Sequence, residues 1–325
     1  MKTVLVYVES GEGKAKNVGL EILSAGKVAA DGGQVIALVV GESVGEAAQT
    51  AIEFGADKVV KVEGAAYKVY NTDVYANALV EVVNKYAANV VFVGATPDGK
   101  DLAPKAAAKM GMACVANVSA IALDGDKIVY TSPVYSGAIL SDTVSEDNVQ
   151  FALLRSGAFK KEEPQAGKSG EIVAEEIVCA ADQIKASIVD VVKEISETVN
   201  LEEAEVIVAG GRGVGSAEGF DKLKELADLF GGVLGATRAP IEAGWISRVY
   251  QIGQSGKSVA PKLYFAFGIS GATQHVAGIT GADYIIAVNK DEDASIFEFA
   301  NVGIVGNLHE VLPVFIEEIK KFKGL

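Results

Sequence analysis

The chain is 325 residues long, half of them hydrophobic, with 36 glycines and a net charge of −14. That length is too great for one ordinary core, so two domains are expected, and the acidic balance argues against a general nucleic-acid binder. Two cysteines, Cys114 and Cys179, and two histidines, His275 and His309, exclude a disulfide framework and a His-rich metal site, so no metal is expected.

No apolar run reaches the roughly 18 residues that span a membrane, so no membrane insertion is expected. The opening MKTVLVYVES reads as a first strand and lacks the apolar core and cleavage site of a signal peptide. A reducing cytoplasm is the expected setting.

Strand and helix patterns alternate through the first part. Strands are predicted at 3–8, 35–40, 58–62 and 90–93, with helices at 17–30, 44–54, 74–86 and 102–110. This is the signature of a doubly wound parallel sheet. Segments 115–123, 127–134 and 149–155 are β-rich, with turns such as Asp124-Gly125-Asp126, and predict antiparallel additions at the sheet edge. Tyr7, Tyr130 and Tyr135 read as core or sheet-face residues. The run Gly94-Ala95-Thr96-Pro97-Asp98-Gly99-Lys100-Asp101 has phosphate-loop spacing, but Asp101 stands where a magnesium-holding Ser or Thr belongs. An acidic side chain there repels phosphate, so the run reads as a βα turn without a nucleotide. Residues 160–170 form a charged surface loop, 171–178 resume strand alternation, and the polar stretch 180–204 holds the domain connection. The boundary is expected near 195, giving domains 1–195 and 196–325.

The second domain opens with a strand at 205–209 that runs into Gly210-Gly211-Arg212-Gly213-Val214-Gly215-Ser216, one glycine short of a dinucleotide fingerprint. A helix at 220–230 and a strand at 232–236 follow. That strand ends in Thr237-Arg238, where a nicotinamide-binding fold would carry an acidic residue, which counts against a dehydrogenase. Residues 241–257 have little period and carry Trp245, Gln251, Gly253, Gln254 and Ser255, the makings of a ligand-wrapping loop. Trp245 itself reads as a packing residue. Residues 262–289 then read as strand, glycine turn, helix and strand, with Gly268, Ser270 and Gly271 at the turn and Gln274 and His275 in the first helical turn. A glycine turn into a helix start suits the diphosphate of a cofactor. A strand at 303–306 and an amphipathic helix at 308–322, capped by Asn307, close the chain; His309 falls in that helix's first turn as a solvated residue.

The segments GGRGVGS (210–216), GATRAPIEAGW (235–245), QIGQSGK (251–257), PKLYFAFGISGATQH (261–275), AVNKDEDASIF (287–297) and GIVGNL (303–308) resemble, in order and spacing, the alpha subunit of electron transfer flavoproteins. VGATPDGKDLAPKAAAK (93–109) extends the likeness to the first domain. The resemblance implies two Rossmann- or flavodoxin-like domains, one FAD in the second, and an obligate heterodimer with a beta subunit that holds AMP or, in bifurcating members fed by NADH, a second FAD. It implies an electron carrier, not a substrate-converting enzyme. Electrons would pass from acyl-CoA dehydrogenases or similar flavoenzymes to a quinone oxidoreductase, with residues 196–325 pivoting as a body on the first domain and the beta subunit.

Residue by residue, the resemblance places Arg238 against the flavin ring, the Ser255 hydroxyl at flavin N5 and His275 at the flavin C2 carbonyl. It places Ser270, Gly271, Ala272, Thr273 and Gln274 along the diphosphate and ribityl chain, with Arg212 on phosphate. Thr237, Gly253 and Gln254 complete the wall. Asn289 would bond the ribose or phosphate region and Asn307, where the family often has Asp, the adenosine end. His275 points to the simple shuttle rather than the bifurcating type. A non-redox ATP sensor built on the first domain is the alternative from another class.

Overall fold

The computed structural model describes residues 1–137, 139–191 and 200–324. The chain divides into two compact units, Met1–Lys193 and Glu194–Leu325. The boundary expected near 195 falls on residues 192–199, outside those described.

In the first unit, seven strands make one all-parallel sheet among the described residues. They are β1 (Thr3–Tyr7), β2 (Gln34–Gly41), β3 (Lys58–Glu63), β4 (Val90–Gly94), β5 (Cys114–Val118), β9 (Gln150–Leu154) and β10 (Glu171–Glu175). Their order across the sheet is β10-β3-β2-β1-β4-β9-β5. Helices α1 (Asn17–Ala30), α2 (Gly45–Glu53), α3 (Thr72–Lys85) and α4 (Pro97–Lys109) connect them. β1, β2 and β4 are apolar almost throughout because both faces are covered, one by the layer containing Ile22 and Ala51 and the other by the layer containing Leu79 and Ala103.

Three expectations are corrected here. Residues 115–123 are not one antiparallel addition: they divide between β5, the parallel edge strand of this sheet, and a strand at Ala120–Asp124 that pairs antiparallel elsewhere. Residues 149–155 are not an antiparallel edge addition: β9 lies inside the sheet, parallel to β4 and β5. Its run Phe151–Leu154 is buried at every position, which is the pattern of a strand covered on both faces. The antiparallel addition is a separate three-stranded sheet of β6 (Ala120–Asp124), β7 (Lys127–Val134) and β8 (Ile139–Val144). Tyr7 and Tyr130 are core residues, but Tyr135 is 81% exposed after β7, in the left-handed region at φ 50°.

The segment after β10 is strapped to its own unit. Asp73, on α3, is buried and accepts the N–H groups of Lys185 (2.7 Å) and Ala186 (3.3 Å) while pairing with Lys105 of α4. Asn71 donates to the Ala186 carbonyl at 2.8 Å, and the Tyr67 hydroxyl to that of Ile177. The Lys105 ammonium and these backbone donors hold the Asp73 carboxyl below its usual range. A depressed carboxyl contributes stability above its unfolded pKa and loses it as the pH falls through the folded value. Asp73→Asn should therefore loosen the strap by about 1–3 kcal/mol at neutral pH. Trypsin should cut after Lys185 roughly five- to a hundredfold faster, because cleavage follows local opening. The difference from the unsubstituted chain should narrow as the pH falls below 3.8, read with an acid-active protease. An unchanged neutral cleavage rate would mean that Asp73 does not hold the segment.

The second unit carries a five-stranded parallel sheet of β11 (Val206–Gly210), β12 (Val233–Ala236), β13 (Leu263–Phe267), β14 (Ile285–Asn289) and β15 (Val302–Val305). The order is β12-β11-β13-β14-β15, the 2-1-3-4-5 order of a flavodoxin-like sheet, whose switch point lies between its first and third strands. Helices α5 (Gly219–Leu229) and α8 (Leu308–Lys323) pack together on one face with Phe265 and Phe267; Tyr264 and Ala266 point to the other, with Ile269, Ile279 and Ile296. Between β12 and β13 the chain forms the short helix α6 (Arg238–Glu242), and after β13 the single turn α7 (Thr273–Val276). α7 is a single four-residue turn where the pattern of 262–289 predicts a helix. No helix among the described residues is long and apolar enough to cross a membrane.

Candidate functional site

The near-phosphate loop of the first unit is built to receive its own chain. The Thr96 hydroxyl caps α4 by accepting from Gly99 N (2.9 Å) and donates to the Glu9 carboxylate at 2.5 Å. Glu9 is 5% exposed and also paired with Lys16. Burial and the neighbouring Glu9 raise the Asp98 carboxyl. A Cβ at Gly99 would lie 1.9 Å from the Gly94 carbonyl oxygen, so this glycine serves close packing of helix on strand. A helix start backed by a buried carboxylate and closed by its own cap is a poor phosphate site.

The second unit offers the opposite arrangement. A cleft of about 900 Å³ opens at the carboxyl ends of β11, β12, β13 and β14, around the switch point. That is near the top of the usual range for ligand sites, roughly 300–1,000 Å³. Of the residues predicted from sequence, Arg212, Thr237, Arg238, Gly253, Gln254, Ser255, Ser270, Ala272, Gln274, His275 and Asn289 line it. Gly271, Thr273 and Asn307 are not in the lining. Gly271 turns the chain beneath it at φ 89°, and Thr273 begins α7. Asn307 caps α8, accepting from His309 N at 3.1 Å and donating to Glu310.

The β13–α7 turn supplies the cleft's donors. Among the described residues, no acceptor pairs with the backbone N–H groups of Ser270, Gly271, Ala272, Thr273 and Gln274. Gly268 and Gly271 take left-handed backbone angles here. A Cβ on Gly268 would meet Gly213 Cα at 2.8 Å, which brings the β11 turn and Arg212 against the β13 turn. Gly213 N donates to the Gly268 carbonyl at 3.0 Å to hold that contact. Arg212 has no ion-pair partner among the described residues. Arg238 does: its Nε donates to Glu242 Oε1 at 2.7 Å along α6, with 69% of the side chain exposed. Glu242, Lys290 and Asp291 also line the cleft and were not foreseen; the one available signal was the i,i+4 spacing of Glu242 from Arg238.

The loop after α6 folds back on α7. Gln254 N donates to the Gln274 carbonyl at 2.7 Å, and Gly253 N to that of Lys257. Buried Gln251 donates to Ser255 Oγ at 2.9 Å, which leaves the Ser255 proton free to be given elsewhere. Asn289 donates to the Ile269 carbonyl (2.8 Å) and accepts from Asp291 N.

His275 is buried between strand and loop. Its Nδ1 lies 3.1 Å from the Ile252 carbonyl and its Nε2 3.0 Å from the Tyr264 hydroxyl. A carbonyl only accepts, so Nδ1 carries the proton and Nε2 accepts from tyrosine. Burial pushes the imidazole pKa down to about 4, so the ring is neutral at physiological pH. The hydrogen bond expected from His275 to a flavin carbonyl would require exchange of one of these two contacts. Trp245 packs against the α5–α8 layer as expected, and His309 is exposed.

Comparison with known proteins decides the family. The model of the electron transfer flavoprotein domain matches residues 4–179 and that of the electron transfer flavoprotein FAD-binding domain residues 200–280. The chain belongs to the electron transfer flavoprotein alpha-subunit family. It is 40% identical to the "Electron transfer flavoprotein subunit alpha" of Thermoanaerobacterium thermosaccharolyticum, covering 99% of both chains. It is 40% identical to that of Bacillus subtilis, covering 98% of both, and 41% identical to that of Megasphaera elsdenii, covering 100% of this chain and 98% of the other. Electron carriage and a flavin follow from family membership. The switch-point cleft falls largely within the part of this alpha-subunit chain that matches the FAD-binding model.

The residues present fit such a group. A turn of N–H groups unpaired among the described residues, with Ser270, Ala272 and Gln274 in the lining beside the Arg212 guanidinium, suits a diphosphate, and the Ser255 hydroxyl, its proton free to be given, suits a ring nitrogen.

Proposed function

We propose that the unit Glu194–Leu325 binds one FAD in the switch-point cleft and that the chain, paired with a beta subunit holding AMP, carries electrons from acyl-CoA dehydrogenases or similar flavoenzymes to a quinone-reducing acceptor. The observation that carries this reading is the run of backbone donors from Ser270 to Gln274, unpaired among the described residues, on a turn whose Ser270, Ala272 and Gln274 line one cleft with Arg212. The flavin supplies the electron chemistry when bound, and the protein supplies position and field.

The chain's own residues divide the work. The Ser270–Gln274 backbone and Arg212 hold the diphosphate, while Gly253, Gln254 and Ser255 border the ring. Arg238 places a fixed positive charge where negative charge gathers on reduction. Asn289 ties the β13 and β14 turns together, so its amide shapes the cleft as well as facing it. No residue is assigned a proton-abstracting role.

The test is to co-produce the chain with its beta subunit and count the flavin released on denaturation. One FAD per pair, non-covalent and recovered intact, is expected. Two FADs with direct reduction by NADH would replace this reading with a bifurcating one. A colourless, folded pair that yields ATP would replace it with a nucleotide sensor.

A further inference from the structure

The Ile252 carbonyl leaves His275 one proton arrangement, and a residue on β13 completes it. Tyr264 sits on β13 with its side chain fully buried, and among the described residues its hydroxyl bonds to the imidazole of His275 alone. The ring centroids are 6.1 Å apart and tilted by 49°, so contact is by the hydroxyl and not by stacking. On the other side, His275 Nδ1 meets the Ile252 carbonyl. Ile252 is itself bound at its N–H by the Ala236 carbonyl at the end of β12. The line Tyr264–His275–Ile252–Ala236 therefore joins β13, α7, the 251–257 loop and β12 below the cleft.

We propose that Tyr264 is the positioning residue of this site: its hydroxyl donates to Nε2 of His275, seats the imidazole in the Nδ1–H form that the Ile252 carbonyl requires, and through that bond pins the Ile252–Lys257 loop at the cleft wall. The proton inventory leaves one arrangement. The Ile252 oxygen can only accept, so Nδ1 must donate; Nε2 is then an acceptor, and the tyrosine hydroxyl must donate to it. Burial favours the neutral form of both groups. Without the hydroxyl, Nε2 is left a buried acceptor with no donor, although the carbonyl still keeps the proton on Nδ1; the imidazole loses its seat against β13 and the bond to Ile252 slackens. The loop that carries Gly253, Gln254 and Ser255 is then held on this side by Gln254 N to the Gln274 carbonyl. The connection to cofactor rests on the FAD reading above; the tautomer assignment does not.

The chain's two histidines make the assignment measurable. The αβ pair labelled with 15N-histidine would be studied by long-range 1H–15N correlation, with the signals of His275 identified by their loss in His275→Gln. In the unsubstituted pair, His275 should show a protonated Nδ1 and an unprotonated Nε2 between pH 6 and 8, a result that needs no variant to fold. Tyr264→Phe should keep the proton on Nδ1 and move the Nε2 signal downfield, as an unprotonated ring nitrogen does when it loses its donor. Release of FAD from the same variant, followed by its fluorescence, should quicken roughly fivefold, the effect of one ordinary hydrogen bond.

A protonated Nε2 in the unsubstituted pair would overturn the proposal, as would an Nε2 signal and a rate of FAD release both unchanged by Tyr264→Phe. A pair that binds no flavin yet shows the Nδ1–H form, with an Nε2 signal that moves in Tyr264→Phe, would support the placement by Tyr264 and refute the FAD reading, so the two failures are distinct.

Discussion

Gly271→Ala is expected to strip the flavin from the αβ pair. Gly271 lies at φ 89°, and a Cβ added there would stand 2.1 Å from the backbone nitrogen of Ile296 and 2.6 Å from its Cα. Those atoms are main chain and have no rotamer with which to retreat. Ile296 N also donates to the Ser270 carbonyl at 3.1 Å, so the clash falls on the contact that sets the Ser270–Gln274 turn. Either that turn or the segment at Ser295–Ile296 has to move. At about 1.5–3 kcal/mol for each hydrogen bond to a charged group, displacing two donors weakens FAD binding roughly a hundredfold or more. Gly244→Ala is the matched control: its φ is 72°, but its Cβ would meet nothing within 4 Å. That substitution should cost about 1–2 kcal/mol of stability for the left-handed backbone and leave the flavin in place. The measurement is bound FAD per pair after gel filtration, with affinity from flavin fluorescence. Retention of full affinity by Gly271→Ala would remove the turn from the binding site.

Arg238 and Glu242 are expected to move the flavin midpoint potential in opposite directions. They share α6 and one hydrogen bond of 2.7 Å, and both line the cleft. A guanidinium beside the ring favours the reduced, negatively charged cofactor, so Arg238→Ala should lower the potential. A charge-assisted contact of about 1.5–3 kcal/mol corresponds to about 30–60 mV for a two-electron couple. Glu242 offsets that cation, so Glu242→Gln should raise the potential. Its effect is smaller, about 5–20 mV, because an exposed pair couples by only about 0.2–1 kcal/mol. Added salt should shrink the Glu242 effect. Potentiometric titration of the three pairs reads all of this. Shifts of the same sign, or none, would mean that α6 does not face the redox ring.

Both predictions rest on residues of unequal legibility. Gly271 could be singled out in the sequence because a glycine-broken apolar run followed by a polar turn is a local pattern, and its φ is a local property. The clash with Ile296 could not, since 25 residues separate the two. Arg238 was visible as a cation at a strand end, but its partner Glu242 mattered only once 238–242 proved to be a helix instead of the start of an irregular loop.

Apolar period and glycine placement, both read within a few turns of chain, were sufficient for two α/β units and for the glycine turn at 268–271, whereas eleven of the residues that line the cleft were named through the family resemblance. Strand order was not encoded at that range. A continuous apolar run such as Phe151–Leu154 says that both faces are covered, but not which neighbours flank it, so its place between β4 and β5 emerged only from the assembled sheet. The same holds for polar pairs: Glu9 with Thr96, Asp73 with Lys185, and Tyr264 with His275 meet because sheet order and helix crossings bring them together. Local pattern records which side chains are apolar or conformationally free; which donor finds which acceptor is set by tertiary packing, because a hydrogen bond requires two groups at about 3 Å, and nothing in either group's neighbourhood specifies the other.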